Sequence, residues 1–567
     1  MTPDPDPRTP VQTEHRGISM LIPDFPFPYD DFIGHPAGIG TVPPEHYGTE
    51  VAIVGAGMAG LVAGYELMKM GLKPVIYEAA QIGGRLRGAT STGRTSPVAD
   101  LGGMRFPRTG RTFFHFLDLL DIQTENFPNP LTPASSSTVI AVGGKVHYAK
   151  TASDLPVLFH EVSQAWRESL EERAHFGPMQ QAIRDRDLKT IKRLWNDLVE
   201  RFDDTSFSGY LATSKAFSAL PFEHREAFGQ VGFGAGGWDT NFPDSILEVL
   251  RVVYVDADDD QLRIVGGAQL IPQRLWDHAP ETIAHWPAGT TLASLNGGSP
   301  RGAVRKINRA AGGDAAAQAI EVTDEHGRRE SYPAVIATCQ SWLLSARIDC
   351  DESLFSPKLW TSIERSHYMQ SSKTFVTVDR PFWKDVDPVT GRDVMSTTLT
   401  DRLTRGTYLL DNGPDTPALI CLSYTWNDDA LKWLPLDAAE RVRLMLHSLK
   451  AIYPTVDIAS HIVGDPITVS WEDDPNFMGA FSDNLPGHYR YQERLFTHFR
   501  QEEFAPAHRG IFLAGDGISW TGGWAEGAVT TGLNAVWGVM HQLGGETDPA
   551  NPGPGDLHPD FWPVKLP

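Results

Sequence analysis

Cysteine is scarce in this sequence, with only Cys339, Cys350 and Cys421 among 567 residues. Three widely spaced thiols do not make a disulfide framework, and no pair has the short spacing of zinc ligands. The 19 histidines show no metal-ligand spacing either. We therefore expect no metal site, and we expect the protein to work in the reducing cytoplasm.

Long hydrophobic runs and basic residues are also in short supply. No apolar stretch is long enough to cross a bilayer, and the first residues lack the basic and then apolar segments of a signal peptide. The chain has 49 lysines and arginines against 71 aspartates and glutamates, which gives a net charge of −22. Such an excess of negative charge argues against nucleic acid or an anionic membrane as a partner.

A strand, a glycine turn, a helix and a second strand are predicted early in the chain. Residues 51–54 form a short apolar run of the kind that is buried in a parallel sheet. Gly55, Gly57 and Gly60 then make the pattern G-x-G-x-x-G, which allows a sharp turn, close approach of the backbone to a pyrophosphate and tight helix packing. Glu78 ends the second strand, where an acid binds the ribose hydroxyls of a dinucleotide. The segment predicts a dinucleotide-binding unit of the flavin or the nicotinamide type.

Further motifs separate these two types. Residues 83–87 (Gly-Gly-Arg-Leu-Arg) follow Glu78, residues 510–516 form an apolar strand that ends in Gly-Asp, and residues 522–528 begin with Gly-Gly-Trp-Ala-Glu-Gly. This set resembles the FAD-dependent amine oxidase family. Within that family the chain is most similar to the bacterial L-amino acid oxidases and L-amino acid 2-monooxygenases, the lysine-active ones above all. The resemblance runs from Pro23 to Pro554 and includes residues 101–107, 233–239, 371–373 and 423–426.

The resemblance implies an α/β fold of the amine oxidase type. A Rossmann-like FAD-binding domain is expected beside a discontinuous substrate domain, which has a mixed β-sheet roof and a helical part. Apolar residues at helical spacing between Leu155 and Phe202 support that helical part, with a break expected at Gly177-Pro178. The predicted limits are 1–47 for an N-terminal arm, 48–110, 290–345 and 505–545 for the FAD-binding domain, 111–289 and 346–504 for the substrate domain with its helical part at about 152–230, and 546–567 for a C-terminal tail.

The same resemblance implies the residues that contact FAD. They are Gly55, Ala56, Gly57, Met58, Ala59, Gly60, Glu78, Gly84, Arg85, Gly103, Met104, Arg105, Val304, Gly515, Asp516, Trp524 and Ala525.

Two cationic side chains are the expected catalytic residues. Arg105 matches the family residue that holds the substrate carboxylate, and its planar fork suits two carboxylate oxygens. Lys373 matches the family lysine that binds a water near flavin N5 and assists reoxidation by O2. Trp426, Phe481, Trp524 and Ala525 are expected to line the substrate pocket.

The resemblance implies oxidation of an L-amino acid at its α-carbon, with FAD as cofactor and O2 as electron acceptor. The products are a 2-oxo acid, ammonia and hydrogen peroxide, or the decarboxylated amide, and we expect a homodimer. Asp239 matches the acid that faces the distal amine in lysine-active relatives, so lysine or arginine is the expected substrate. Asp256 and Asp258 either add to this acidic end of the pocket or are solvated loop acids, and the second interpretation is favoured. Aromatic or aliphatic amino acids are the alternative, because Trp238 and the wall aromatics lie nearby. A nicotinamide-dependent dehydrogenase and a binding-only flavoprotein are less favoured.

Overall fold

The computed structural model describes residues 18–231, 243–258, 261–310, 319–502 and 504–566. Within these ranges the α-helices are Tyr29–Gly34, Met58–Lys69, Arg111–Leu119, Val157–Arg173, Phe176–Arg184, Leu188–Phe202, Phe207–Thr213, Lys215–Ser218, Phe222–Val231, Ile246–Tyr254, Leu270–Asp277, Leu292–Leu295, Ser341–Ala346, Pro357–Arg365, Asn427–Leu431, Ala438–Lys450, Tyr489–Phe496, Ala525–Gln542 and Pro554–Leu557. No helix of the described residues is long and apolar enough to cross a membrane.

A parallel sheet is built from four segments that are far apart in the described chain. Its strand order is Lys73–Tyr77, Glu50–Val54, Val335–Ala337 and Ile511–Leu513. Val51 and Ile53 belong to one hydrophobic core, whereas Ala52 and Val54 belong to another. The predicted apolar run is therefore buried on both faces, as strands of a parallel sheet are.

The Met58–Lys69 and Ala525–Gln542 helices pack against each other. Their backbones approach closely at Gly532, where an added Cβ would lie 2.9 Å from the carbonyl oxygen of Ala59. Small residues therefore let the helix that follows the glycine turn meet the helix that follows the Gly-Gly-Trp motif. This contact brings two motifs from opposite ends of the chain together.

A larger mixed sheet stands beside the parallel one. Seven strands of the described chain form it, and its second and third strands, Ser371–Val378 and Ala418–Trp426, pair antiparallel. Thr397–Thr400 runs parallel to Thr138–Val142, and this pairing makes the sheet mixed. The strand order is Ile467–Ser470, Ser371–Val378, Ala418–Trp426, Gly406–Leu410, Thr397–Thr400, Thr138–Val142 and Lys145–Ala149.

Smaller sheets complete the described β-structure. They are Arg329–Tyr332, Ile320–Asp324, Val304–Arg309 and Asp349–Cys350 in one sheet; Phe106–Pro107, Gln261–Ile264 and Thr124–Asn126 in a second; and the pairs Tyr368–Met369 with Phe481–Ser482 and Gly88–Ala89 with Ala99–Asp100.

The helical part contains six helices between Val157 and Val231. The break expected at Gly177-Pro178 lies slightly earlier, at Ala174 and His175, and His175 has a left-handed φ of 50°. Gly177 and Pro178 fall in the first turn of the Phe176–Arg184 helix. Proline is tolerated there because the first turn has no partner for its missing N–H. The limits of the predicted domains stay predictions.

The N-terminal arm is held by a buried ion pair. The Asp24 carboxylate accepts hydrogen bonds from Arg251 Nε at 2.7 Å, Arg251 Nη2 at 3.0 Å and Trp195 Nε1 at 2.7 Å. Arg251 Nη1 donates to Glu248 Oε1 at 2.6 Å. Burial alone would lower the pKa of Arg251, but Asp24 and Glu248 raise it further than burial lowers it. A charge on the arm thus compensates a cation buried in the Ile246–Tyr254 helix.

Replacing Asp24 by asparagine should destabilise the protein by about 3–5 kcal/mol, because it leaves the Arg251 guanidinium buried without its main counter-charge. Asp31 is the matched control: it pairs with Arg186, but its side chain is 66% exposed. Asp31→Asn should change stability by less than about 1 kcal/mol. Chemical unfolding of both variants measures the difference, and equal small losses would contradict this role of Asp24.

Candidate active site

A large cavity lies between the parallel sheet and the mixed sheet, and it is lined by residues of both. Most of the predicted site residues line it: Gly55, Gly57, Met58, Ala59, Glu78, Gly84, Arg85, Gly103, Met104, Arg105, Val304, Lys373, Trp426, Phe481, Gly515, Asp516, Trp524 and Ala525. Ala56 and Gly60 are predicted contacts that do not line it. Asp239 and Trp238 lie outside the described residues.

The three glycines of the turn have different surroundings. Gly55 has a left-handed φ of 116°, and a Cβ there would lie 2.6 Å from Thr338 Oγ1. A Cβ on Gly60 would lie 2.1 Å from the Gly55 carbonyl oxygen, so this position must remain glycine for the helix to pack. At Gly57, a Cβ would meet no atom of the described residues within 4 Å. Gly57 therefore faces the open side of the turn.

The Met58–Lys69 helix begins at this open side. Gly57 is its N-cap, and no described side chain caps it with a hydrogen bond. An uncapped helix start offers free N–H groups and the positive end of the helix dipole. Such a helix start is a favourable binding site for a phosphate group.

Glu78 stands at the end of the neighbouring strand. Its Oε2 accepts from the Ala56 N–H at 2.8 Å and its Oε1 from the Ala80 N–H at 2.8 Å. Burial raises the pKa of Glu78, and these backbone hydrogen bonds counteract the rise. Ala56 therefore acts on the site through Glu78, which it orients towards the cavity.

An ion pair joins three motifs at the cavity wall. Arg85 Nη1 donates to Asp516 Oδ2 at 3.0 Å and to the carbonyl oxygen of Ala480 at 2.6 Å, and Arg85 Nη2 donates to Asp516 Oδ1. Asp516 Oδ2 also accepts from the Gly523 N–H at 3.5 Å. A two-pronged arginine–carboxylate contact fixes both position and orientation. The Gly-Gly-Arg loop, the Gly-Asp strand end and the Gly-Gly-Trp turn are held together in this way.

These features fit a dinucleotide such as FAD. The cavity combines open space at Gly57, an uncapped helix start for a pyrophosphate and a carboxylate at the second strand end for a ribose. At Gly102, which also lines the cavity, a Cβ would lie 1.8 Å from the Arg85 carbonyl oxygen. The loop that would meet a flat ring therefore tolerates only glycine there.

Arg105 is half-buried among aromatic rings. Its guanidinium carbon lies 5.7 Å from the ring centres of Phe127 and Tyr408 and 5.8 Å from that of Tyr424. Burial alone would lower the pKa of Arg105, but Tyr408, Tyr424 and Asp258 outweigh it and raise the pKa. The side chain is therefore a permanent cation at the cavity wall, suited to hold an anionic group.

Lys373 is buried in the strand opposite Tyr424. The two residues are register partners, and Lys373 Nζ lies 4.8 Å from the centre of the Tyr424 ring. The ammonium also donates to the carbonyl oxygens of Asp100 at 3.3 Å and Gly102 at 2.5 Å. Burial lowers the pKa of Lys373 to about 8, while Cys421 and Asp100 counteract this and Arg105 adds to it. Lys373 is therefore a base that changes charge near physiological pH.

Aromatic side chains form another part of the wall. The rings of Trp426 and Phe481 meet nearly edge to face, with centres 5.3 Å apart and planes at 72°. Tyr424 and Trp426 meet in the same way, with centres 5.6 Å apart. Trp524 lines the cavity at the start of the Ala525–Gln542 helix. The wall is thus shaped for a flat apolar group.

Several lining residues were missed by sequence reasoning. Tyr424 stands two positions before Trp426 in one strand, so alternation along the strand places both on one face and could have identified it.

Asp258 was expected to be a solvated loop acid, but it lines the cavity and interacts with Arg105. Asp256 accepts from Gln180 Nε2 at 2.9 Å. Glu248 and Asp483 also line the cavity, and no local motif marks them. Among the described residues, no group of three or more His, Cys, Asp or Glu could hold a metal ion.

Comparison with known proteins identifies the family. The model of the family described as flavin containing amine oxidoreductase matches residues 58–540. The tryptophan 2-monooxygenase of Pseudomonas savastanoi is 31% identical over 91% of this chain and 93% of its own length. That of Pantoea agglomerans pv. gypsophilae is 29% identical over 93% and 95%, and the L-amino-acid oxidase of Mus musculus is 26% identical over 88% and 72%.

Solved structures show the same fold. A putrescine oxidase bound to putrescine matches with a TM-score of 0.64 and 20% identity, over 87% of this chain and 99% of its own. Cyclohexylamine oxidase from Brevibacterium oxydans IH-35A matches with a TM-score of 0.62 and 18% identity, over 88% and 100%. The predicted α/β fold of the amine oxidase type is therefore confirmed, and so is FAD as cofactor. The chain belongs to the flavin-containing amine oxidoreductase family and is an FAD-dependent oxidoreductase.

Proposed function

We propose that this enzyme oxidises an aromatic L-amino acid at its α-carbon and uses O2 as the electron acceptor. The observation that carries this proposal is the half-buried Arg105 cation in a cavity that also holds the aromatic wall of Trp426, Phe481 and Trp524. The relatives named for tryptophan support an aromatic substrate better than the lysine or arginine substrate expected from Asp239. Homodimer formation and a cytoplasmic location stay predictions.

The chain's own residues would hold FAD as follows. The N–H groups at the start of the Met58–Lys69 helix, beside Gly57, would bind the pyrophosphate, and Glu78 would bind the adenosine ribose. Asp516, held in place by Arg85, would accept hydrogen bonds from FAD groups near the flavin ring or orient them. The Val304 backbone would contact adenine. When bound, FAD accepts a hydride equivalent from the substrate and passes the electrons to O2.

The substrate would be held at two ends. The Arg105 guanidinium would bind the α-carboxylate, with the Tyr424 ring and hydroxyl beside it. The aromatic wall would orient the side chain and exclude water from the α-carbon. Lys373 would hold a water close to the reacting atoms and supply positive charge when O2 is reduced.

Two routes lead from the amino acid to products, and each balances in atoms and electrons. In the oxidase route, the amino acid, O2 and water give a 2-oxo acid, ammonia and hydrogen peroxide. In the monooxygenase route, hydrogen peroxide adds to the imine carbon of the retained imino acid. The bond from that carbon to the carboxyl group then breaks, together with the O–O bond. The products are then carbon dioxide, water and the amide one carbon shorter. The names of the 2-monooxygenase relatives support the second route.

Anaerobic mixing with single amino acids tests the function. Phenylalanine, tyrosine or tryptophan should bleach the flavin absorbance faster than lysine, arginine or leucine, because a flat ring fits the aromatic wall. With O2 present, carbon dioxide should form in step with substrate loss and exceed hydrogen peroxide. No bleaching by any aromatic amino acid would refute the proposal, and peroxide in place of carbon dioxide would assign the oxidase route.

Gly57→Ala and Gly60→Ala should separate cofactor binding from folding. The methyl group added at Gly57 would enter open space assigned to the pyrophosphate. FAD affinity should therefore fall at least about tenfold, which is equivalent to about 1.4 kcal/mol. The free energy of unfolding of the apoprotein should change by less than about 0.5 kcal/mol. The Gly60 methyl would meet the Gly55 carbonyl, so stability should fall by about 1–3 kcal/mol. FAD titration and thermal unfolding measure both effects, and unaltered FAD affinity in Gly57→Ala would refute the assignment.

Oxidation of the reduced enzyme by O2 should slow as pH rises through about 8, because Lys373, with its pKa of about 8, carries its charge below that pH and loses it above. Rapid mixing of reduced enzyme with O2 across this pH range measures the effect. Lys373→Met should react slowly without this pH dependence. Arg105→Met is the matched control: it should keep the pH dependence, shifted to higher pH, since the Arg105 charge lowers the pKa of Lys373. An unchanged profile in Lys373→Met would exclude this role.

A further inference from the structure

Two buried carboxyls lie at a part of the wall that the roles above leave unused. Asp483 lines the cavity and is 5% exposed, whereas Asp244 is fully buried and does not line it. Among the described residues, no N–H or O–H group donates to Asp483 Oδ2 or to either carboxyl oxygen of Asp244. The two carboxyls are close enough to bond to each other when one carries a proton.

Burial and proximity prevent both carboxyls from ionising together. Burial raises the pKa of Asp483 to about 8. Burial, and then the charge of Asp483, raise the pKa of Asp244 well above its usual range. Burial therefore favours the protonated form of both carboxyls, and one can donate a hydrogen bond to the other. When the Asp483 hydroxyl donates to Asp244, the carbonyl oxygen of Asp483 is left as an acceptor at the cavity wall.

The neighbouring charges do not neutralise this acceptor. Glu248 Oε1 accepts from Arg251 Nη1 at 2.6 Å and from Asn484 Nδ2 at 2.7 Å. Arg251 is also bound by Asp24 through two of its nitrogens. The Arg251 guanidinium is therefore already shared by two other carboxylates, those of Asp24 and Glu248. A donor for Asp483 is best supplied from the cavity itself.

Apolar and aromatic residues line the cavity together with Asp483. Phe481, two residues before Asp483 in the sequence, is one of them. Val249 and Val252, one helical turn apart on the Ile246–Tyr254 helix, line the cavity beside Glu248. Trp524 contributes a further aromatic surface. The cavity therefore combines apolar surfaces with the Asp483 carboxyl at its wall.

We propose that Asp483 is a specificity-determining residue that accepts a hydrogen bond from an N–H group on the aromatic ring of the substrate. The inference rests on the proposed function and refines its substrate class to aromatic L-amino acids with a ring N–H, such as an indole. A ring without a donor leaves a buried acceptor unpaired, and sites of this kind reject such analogues strongly. Asp244 acts through Asp483 as a positioning residue, since the hydrogen bond between the two carboxyls orients the free oxygen of Asp483.

The test compares tryptophan with its benzothiophene analogue, in which sulfur replaces the ring N–H and the shape is kept. In the wild-type holoenzyme, kcat/KM for tryptophan should exceed that for the analogue about 10- to 100-fold. Asp483→Leu should bring this ratio close to one by slowing tryptophan alone. Asp483→Asn, which keeps a carbonyl acceptor, should retain most of the preference.

Several outcomes would overturn the assignment. They are an equal rate for both substrates in the wild type, an equal loss for both in Asp483→Leu, and faster reduction by lysine or arginine than by tryptophan. The wild-type comparison stands without any variant, and flavin absorbance shows whether each variant is folded and loaded. If no aromatic amino acid bleaches the flavin, the proposed function itself fails. If both analogues bleach it equally, only the role of Asp483 fails.

Discussion

The ion pair between Arg85 and Asp516 is the contact on which the site depends. It connects a loop that follows the second strand with the end of the last strand of the parallel sheet, and its third hydrogen bond reaches the Ala480 carbonyl. Ala480 leads directly into Phe481 at the aromatic wall. One guanidinium therefore sets the distance between the cofactor cradle and the substrate pocket. A lysine could not replace it, because a single ammonium lacks the fixed fork that reaches both partners.

Two cations of the cavity wall show how neighbours decide the effect of burial. Lys373 is buried and Arg105 half-buried, and both contact Tyr424. The environment of Arg105 raises its pKa, whereas that of Lys373 lowers its pKa to about 8. Arginine keeps its charge in either setting, but an ammonium responds to desolvation. The cavity wall thus holds one permanent charge and one charge that responds to pH.

Local patterns predicted a set of residues, most of which the fold brings to one cavity. Gly55, Gly57, Gly60 and Glu78 are constrained by backbone geometry within one short segment, so spacing alone reveals them. The wall residues Asp258 and Asp483 have no such pattern, because their role depends on partners brought near by the fold. Pro178 misled the helix prediction for a simple reason: a proline marks a break only outside the first turn.

The substrate prediction was wrong in emphasis for a related reason. It rested on Asp239, a single acid in a glycine-rich run outside the described residues. Relatives named for tryptophan, together with the aromatic wall, favour the alternative. An acid at a pocket wall does not by itself imply a cationic substrate. Its charge depends on how many other acids share its protons.

The order of strands in the parallel sheet has a consequence for biosynthesis. Glu50–Val54 is synthesised long before its neighbour Val335–Ala337 and the closing strand Ile511–Leu513. The proposed cofactor cradle therefore remains incomplete until Ile511–Leu513 has been made. Until then, the apolar edge of the first two strands needs shielding, since exposed strand edges promote aggregation. Cofactor capture consequently follows the synthesis of that strand, and the helix that packs on Met58–Lys69 is made later still.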